Sequence, residues 1–332
     1  MLEHGGRLRQ AAREYGIALK DWVDLSTGIN PDTYPIPSID PLCWQRLPED
    51  NDGLEAAAAA YYGSERLLAL PGSQAAIQSL PLLFKPMAIA CVFPLYEEHP
   101  HAWEKAGHQL RRLPTLQRAL SVVTPNVLLC NPNNPTANLL PRQALLDAAD
   151  QLRRRGGWLI VDEAFSDAEP ENTVAALAGS DDAPNLIVLR SLGKFFGLAG
   201  ARVGFMFAAA DKLEALRELI GPWAVPNPSR VVARHALEDT AWQVAARARL
   251  ATNSQRLAGL LAPLGTVGRT ALFCTVSGDK QSLPVAALAD HFARRGILVR
   301  RFDKHGLVRI GLPGGESEWQ RLASAVAEWK AP

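Results

Sequence analysis

NVLLCNPNNPTANLLPRQALLDAADQLRRRGGWLIVD, residues 126–162, holds the pattern from which the fold can be read. It opens and closes on continuous apolar runs, NVLLC (126–130) and WLIVD (158–162). Between them lies a helical stretch with Pro141 just inside its start and Gly156-Gly157 just past its end. Proline suits the first helical turn, where its missing N–H costs nothing, and glycine suits the residue after the last turn. Strand, helix and strand in this order make a βαβ unit. The runs are unbroken rather than alternating, so both faces of each strand are expected to be covered, as in a mostly parallel sheet.

The texture extends in both directions. RLLAL (66–70), AIACVF (88–93), NLIVLR (185–190) and VGFMFA (203–208) are further apolar runs, and GLEAAAAAYYG (53–63) reads as an alanine-rich helix. Upstream, INPDTYPIPSIDP (29–41) is too rich in proline for regular helix or central strand and reads as an arm. After Gly221 the proline-rich GPWAVPNPSR leads into a long helical stretch, then ALFCTVSG (271–278), ILVRRF (297–302), GLVRIGL (306–312) and a terminal helix. The expected organisation is an arm and part of a small domain over 1–50, a large α/β domain over 51–221, and a small α+β domain over 222–332.

A chain of 332 residues with 48% hydrophobic content can bury a large core. The net charge of +1 gives no electrostatic reason to invoke nucleic acid or a membrane surface, so a small-molecule partner is expected. Cys43, Cys91, Cys130 and Cys274 are scattered among apolar residues without a C-x-x-C pair, as in a reduced, cytoplasmic protein. MLEHGGRLRQ has no apolar signal core, and no run is long enough to span a membrane.

In an open parallel sheet, ligands bind at the carboxyl ends of the strands. RLLAL is followed by Gly72-Ser73-Gln74 opening a helix, where backbone N–H groups and the helix dipole favour a phosphate. AIACVF is followed by Tyr96, NVLLC by Asn131-Pro132-Asn133-Asn134, WLIVD ends on Asp162, and NLIVLR leads to Ser191 and Lys194. Each has an ordinary reading alone: a helix cap, a packing ring, a turn, a second cap, a solvated charge. Together they offer a phosphate cradle, a flat ring, an amide, a carboxylate and an amine. Other motifs fail. Phe195 follows Lys194 where a Walker A loop needs Ser or Thr, and neither G-x-G-x-x-G after a strand nor G-x-S-x-G is present. His99, His101 and His108 lack a metal-ligand spacing and read as the polar surface of a helix start, so no metal is expected.

Pyridoxal phosphate uses all five groups: a lysine for its aldehyde, backbone donors and a cation for its phosphate, a carboxylate for its ring nitrogen, and a flat side chain on its face. With Asn134-Pro135-Thr136, Asp162-Glu163-Ala164-Phe165 and Ser191-Leu192-Gly193-Lys194 in order, the sequence resembles the fold-type I, aspartate aminotransferase-like pyridoxal-phosphate enzymes over nearly its whole length. The resemblance implies that Lys194 forms the Schiff base and moves protons, and that Asp162 pairs with the ring nitrogen. It further implies that Asn134 bonds the phenolic oxygen, that Tyr96 stacks on the ring, and that Gly72, Ser73, Gln74, Ser191 and Arg202 hold the phosphate. Arg309 would grip the substrate's acidic group, with Gly28 and Asn30 beside it, and a homodimer with shared active sites is implied. Ala137 stands where the family usually has glycine, Phe165 where many members have tyrosine, and Leu47 near a position where relatives carry a tyrosine.

Within the family, His4-Gly5-Gly6, DLSTGINP (24–31), RSLGKFFGLAGARVG (190–204) and the ending VRIGLP most resemble the threonine-phosphate decarboxylases of cobalamin biosynthesis, close kin of histidinol-phosphate aminotransferases. That implies decarboxylation of O-phospho-L-threonine to (R)-1-amino-2-propanol O-2-phosphate, with His4 and Gly5 on the substrate. The alternative is a phosphate-recognising aminotransferase.

Overall fold

A computed structural model describes residues 4–278 and 284–330. Its contacts divide these into two units: the described residues up to Asp32, Pro135–Asn138 and those from Ala246 onward form a smaller one, and Thr33–Asn134 with Leu139–Ala245 form a larger one.

The larger unit is built on a seven-stranded sheet of β1 (Leu67–Leu70), β2 (Ala88–Val92), β3 (Gln109–Leu113), β4 (Asn126–Cys130), β5 (Leu159–Asp162), β6 (Leu186–Ser191) and β7 (Gly204–Phe207). The spatial order is β1-β7-β6-β5-β4-β2-β3. β7 runs antiparallel to both its neighbours, and the other pairings are parallel. All residues of β4 and β5 are buried, which is why their sequences are unbroken apolar runs. β3, an edge strand whose Arg111 and Arg112 are exposed, is absent from the expected runs because an edge tolerates charge on a strand. Leu70, Ile89, Trp103, Leu128, Ile160, Leu189 and Met206 belong to the core on this sheet.

Residues 222–245, grouped by sequence with the small domain, pack with the larger unit. Helix Asn227–Glu238 lies against helix Leu54–Tyr62, and Arg230, itself buried, donates to Asp52 at 2.7 Å and Glu55 at 2.6 Å. The arm is likewise anchored there from Tyr34, whose N–H donates to the Phe196 carbonyl at 2.9 Å.

The smaller unit carries an antiparallel sheet of β8 (Thr266–Arg269), β9 (Phe273–Ser277), β10 (Arg300–Phe302) and β11 (Leu307–Gly311) in the order β10-β11-β9-β8. Val23–Asp24 pairs in parallel with Ile297–Leu298, and Gly311 N–H donates to the Leu25 carbonyl at 2.7 Å, so residues 23–25 are tied into this unit. Among the described residues no helix is long and apolar enough to cross a membrane.

Candidate active site

The sheet order reverses between β2 and β4, where connections leave toward opposite edges and open a crevice at the carboxyl ends. Asn133 Nδ2 bridges it, donating to the Pro94 carbonyl after β2 at 3.0 Å. Tyr96 follows β2, Asn134 follows β4, and Asp162 is the last residue of β5. The Tyr96 hydroxyl reaches Gln74 Oε1 at 3.4 Å, while Gln74 Nε2 donates to Glu98 at 2.9 Å. The Gln74 side chain is thus committed, and any part it plays on a phosphate falls to its main chain.

Asp162 is buried. One carboxylate oxygen accepts from the Ala164 N–H at 3.0 Å, and the other lies 2.8 Å from His99 Nε2. This corrects the surface reading of His99, which is 1% exposed; His108 is buried as well, its Nε2 2.9 Å from the Pro81 carbonyl, while His101 is exposed. His99 and Tyr96 share the turn that opens the helix Glu98–Lys105, a three-residue spacing after a strand end that could have flagged the pair. Cys130, missed as a site residue, is the cross-strand partner of Asp162. Burial, with the nearby Asp162 carboxylate, pushes its thiol well above the ordinary range.

Lys194 is half-buried in the short helix Leu192–Phe195 that leaves β6, its Nζ 5.3 Å from the centre of the Phe165 ring. Cations over aromatic faces are stabilised, so Phe165 offers the amine a contact. Arg202 precedes β7, and because that strand is reversed, Arg202 reaches the edge where the other strands end. A Cβ on Gly72 would meet Arg202 Nη2 at 2.5 Å, and a Cβ on Gly204 would meet Ser73 N at 2.5 Å and the Arg190 carbonyl at 2.8 Å. Two bare glycines therefore let a guanidinium and the start of the helix Ser73–Ser79 close over one corner, next to Ser191, which pairs with Gly204. This corner suits a phosphate, and the Asp162 carboxylate suits a protonated ring nitrogen.

Behind these groups is a buried ion cluster. Arg190 donates to Glu163 at 2.7 Å, to Asp167 at 2.6 Å and to Thr173 at 3.1 Å, and its guanidinium lies 4.9 Å from the centre of the Tyr62 ring. Glu163 also accepts from the Thr173 hydroxyl and from the Val174 N–H. Burial pushes the Glu163 carboxyl up despite the neighbouring Arg190. The cluster joins the residue after Asp162 to the residue before Ser191, so it fixes the two strand ends against each other.

In the smaller unit, Gly5 and Arg309 meet at Ser26, and His4 lines the same pocket as Ser26. Gly6 N–H donates to its hydroxyl at 2.7 Å, and Arg309 Nη2 donates to its carbonyl at 2.7 Å. Gly5 lies so close to the Ser26 main chain that a Cβ has no room. Gly28 N would lie 3.5 Å from a Cβ on Gly311, and the buried Asn30 accepts from the Asp32 N–H at 3.0 Å. Arg309 is 5% exposed with its guanidinium 5.1 Å from the centre of the Phe273 ring, rather than on an open edge. Ala137 has φ of 64°, a left-handed conformation costing a non-glycine residue roughly 1–2 kcal/mol.

A sheet crevice offering an amine, a paired carboxylate and an anion corner defines a fold-type I cofactor enzyme, and the chain belongs to the aminotransferase class I and II family, whose profile matches residues 47–326. It is similar to the threonine-phosphate decarboxylase of Pseudomonas aeruginosa, 49% identical with 100% of this chain and 99% of that one covered. The threonine-phosphate decarboxylase of Sinorhizobium sp is 38% identical over 98% of this chain and 97% of its own. Among solved structures, histidinol-phosphate aminotransferase from Sinorhizobium meliloti in complex with pyridoxal-5'-phosphate superposes with a TM-score of 0.84, at 20% identity over 99% of this chain and 98% of that one.

Proposed function

We propose that the chain is a pyridoxal-phosphate-dependent decarboxylase of O-phospho-L-threonine, forming (R)-1-amino-2-propanol O-2-phosphate for cobalamin biosynthesis. The observation that carries the reaction is the 49% identity over the full chain to a threonine-phosphate decarboxylase. The site geometry supports the cofactor. Gly72, Ser73, the Gln74 main chain, Ser191 and Arg202 would hold its phosphate, Tyr96 its ring face, Asn134 its phenolic oxygen, and Lys194 its aldehyde carbon. Asp162, steadied by His99, would keep its ring nitrogen protonated.

When bound, the cofactor supplies an electron sink for the pair released from the breaking bond at Cα. The chain decides which bond that is by where it holds the substrate's acidic groups. Arg309, oriented by the Ser26 carbonyl, would take one of them in a bidentate grip, with His4, Gly5, Gly28 and Asn30 beside it. Decarboxylation leaves Cα short of a proton, and Lys194 Nζ would deliver it once the substrate amine has taken its place.

A homodimer fits the exposed apolar residues Ile36, Leu42, Trp44, Leu47 and Trp223 of the larger unit, and the free thiols fit a cytoplasmic setting. The deciding assay supplies O-phospho-L-threonine with no 2-oxo acid and scores CO2 and aminopropanol phosphate. A stoichiometric requirement for 2-oxoglutarate would favour the aminotransferase reading, which a 34% identity over 62% of this chain to a histidinol-phosphate aminotransferase keeps as the alternative.

A further inference from the structure

His99, Cys130 and Asp162 are three buried residues from three elements of the larger unit, and a ring nitrogen, the sulfur and a carboxylate oxygen all lie within 4.8 Å of one another. Their placement is rigid. Cys130 and Asp162 are register partners at the ends of adjacent strands, and His99 sits in the first turn of the helix Glu98–Lys105. We propose that the cofactor-free chain binds one Zn2+ or similar borderline-soft divalent ion between His99, Cys130 and Asp162, in competition with the cofactor.

The donor set argues for the ion class. Thiolate, imidazole and carboxylate together select Zn2+ or Co2+ over Mg2+ or Ca2+, and three protein ligands with one open position is a common zinc arrangement. Bonds of about 2.0–2.3 Å place tetrahedral ligand atoms roughly 3.3–3.6 Å apart. The 2.8 Å contact between His99 Nε2 and Asp162 needs to widen by about half an ångström to admit the ion. The sulfur need move in by little more than about an ångström from the 4.8 Å limit. The Ala164 N–H already holds the other Asp162 oxygen, the kind of outer hydrogen bond that orients a ligating carboxylate. Coordination sends the Cys130 thiol proton to solvent, and the hydrogen that His99 Nε2 shares with Asp162 leaves that contact for Nδ1 or for solvent. Asp162 and Cys130 are each 6% exposed, so an ion has a narrow way in from the crevice.

The competition rests on the functional reading above, in which Asp162 serves the ring nitrogen, because an ion on that carboxylate neutralises the charge with which it would hold a protonated ring nitrogen. Metal binding itself does not rest on it. The test titrates the full chain, stripped of cofactor, with Co2+ and then Zn2+. The expected result is one ion per chain, a thiolate-to-cobalt absorption in the near ultraviolet, and an affinity lowered about tenfold or more in both Cys130→Ser and His99→Gln, each first shown by circular dichroism to be folded. No thiolate band, or unchanged affinity in either folded variant, overturns the site. Added pyridoxal phosphate should release the ion, and bound Zn2+ should slow cofactor uptake followed by cofactor absorbance. Simultaneous retention of both overturns the competition. A failure of the decarboxylase reading would appear instead in the product assay, which these titrations do not use.

Discussion

Arg190→Met takes the cation out of a cluster in which Arg190 is 1% exposed and Glu163 and Asp167 are 0% exposed. Removing one partner of a buried ion pair leaves an uncompensated charge, at a cost of about 3–5 kcal/mol near neutral pH. Glu163 then gains by taking up a proton. Glu163 is already pushed up by burial with Arg190 present, and without the guanidinium its folded-state value rises further above its unfolded one. Stability linked to a raised pKa is fully present below the unfolded value and is lost as pH rises through the folded value. The variant should therefore recover on acidification by at most about 1.4 kcal/mol per pH unit for each proton taken up, so by up to about 2.7 kcal/mol between roughly pH 7.5 and 5.5. Urea unfolding of wild type and variant at both pH values measures this. The destabilisation should shrink at the lower pH, to roughly 0.3–2.3 kcal/mol at full recovery. An equal loss at both would mean that the stranded carboxylates are not the cause, and the reasoning would fail.

Lys194→Ala should fold normally yet lose turnover, and borohydride, which should fix the cofactor on Lys194 in the wild-type chain, should fix none in the variant; peptide mapping reads this. Gly204→Ala drives a methyl into Ser73 N and the Arg190 carbonyl, so cofactor affinity, followed by absorbance on dialysis, should fall by roughly 5- to 150-fold for a strain of about 1–3 kcal/mol. Burial alone would raise the Asp52 pKa, yet the Arg230 hydrogen bonds hold it below the usual carboxylate range. Its contribution is therefore present above the ordinary carboxylate value and lost as pH falls through the folded one, and the stability deficit of Asp52→Asn at pH 7 should shrink in urea titrations once the pH falls below the ordinary carboxylate value of about 3.9. Arg309→Ala should raise KM for phosphothreonine more than it lowers kcat, in steady-state assays with the phosphorylated and unphosphorylated amino acid.

What the sequence made legible was whatever leaves a local trace. Strands covered on both faces need unbroken apolar runs, and β4 and β5 were readable for that reason. Strand-end residues such as Asp162 and Lys194 followed by adjacency. The edge strand β3, with Arg111 and Arg112, carried no such trace. Nor did the direction of β7, since an antiparallel strand buried on both faces has the same composition as a parallel one. His99 and Cys130 were opaque for a different reason: what places them is the meeting of β2, β4 and β5 in space, and a buried histidine bonded to a carboxylate reads in sequence like a surface one. Arg190 and Glu163 lay hidden inside recognised motifs, where a charged residue at a strand end reads as solvated.

The reversed strand also sets a schedule for biosynthesis. Leu70 and Ser191 both pair with Gly204, so β7 fills the gap between a strand made early in translation and one made late. A nascent chain that has not yet extruded Gly204–Phe207 leaves facing flanks of β1 and β6 open to stray partners, and it lacks Arg202. On the proposed cofactor site, vitamin capture follows closure of that gap, and a ribosome-bound fragment of the first 190 residues, which also lacks Ser191 and Lys194, should not hold the cofactor even with six of the seven strands made.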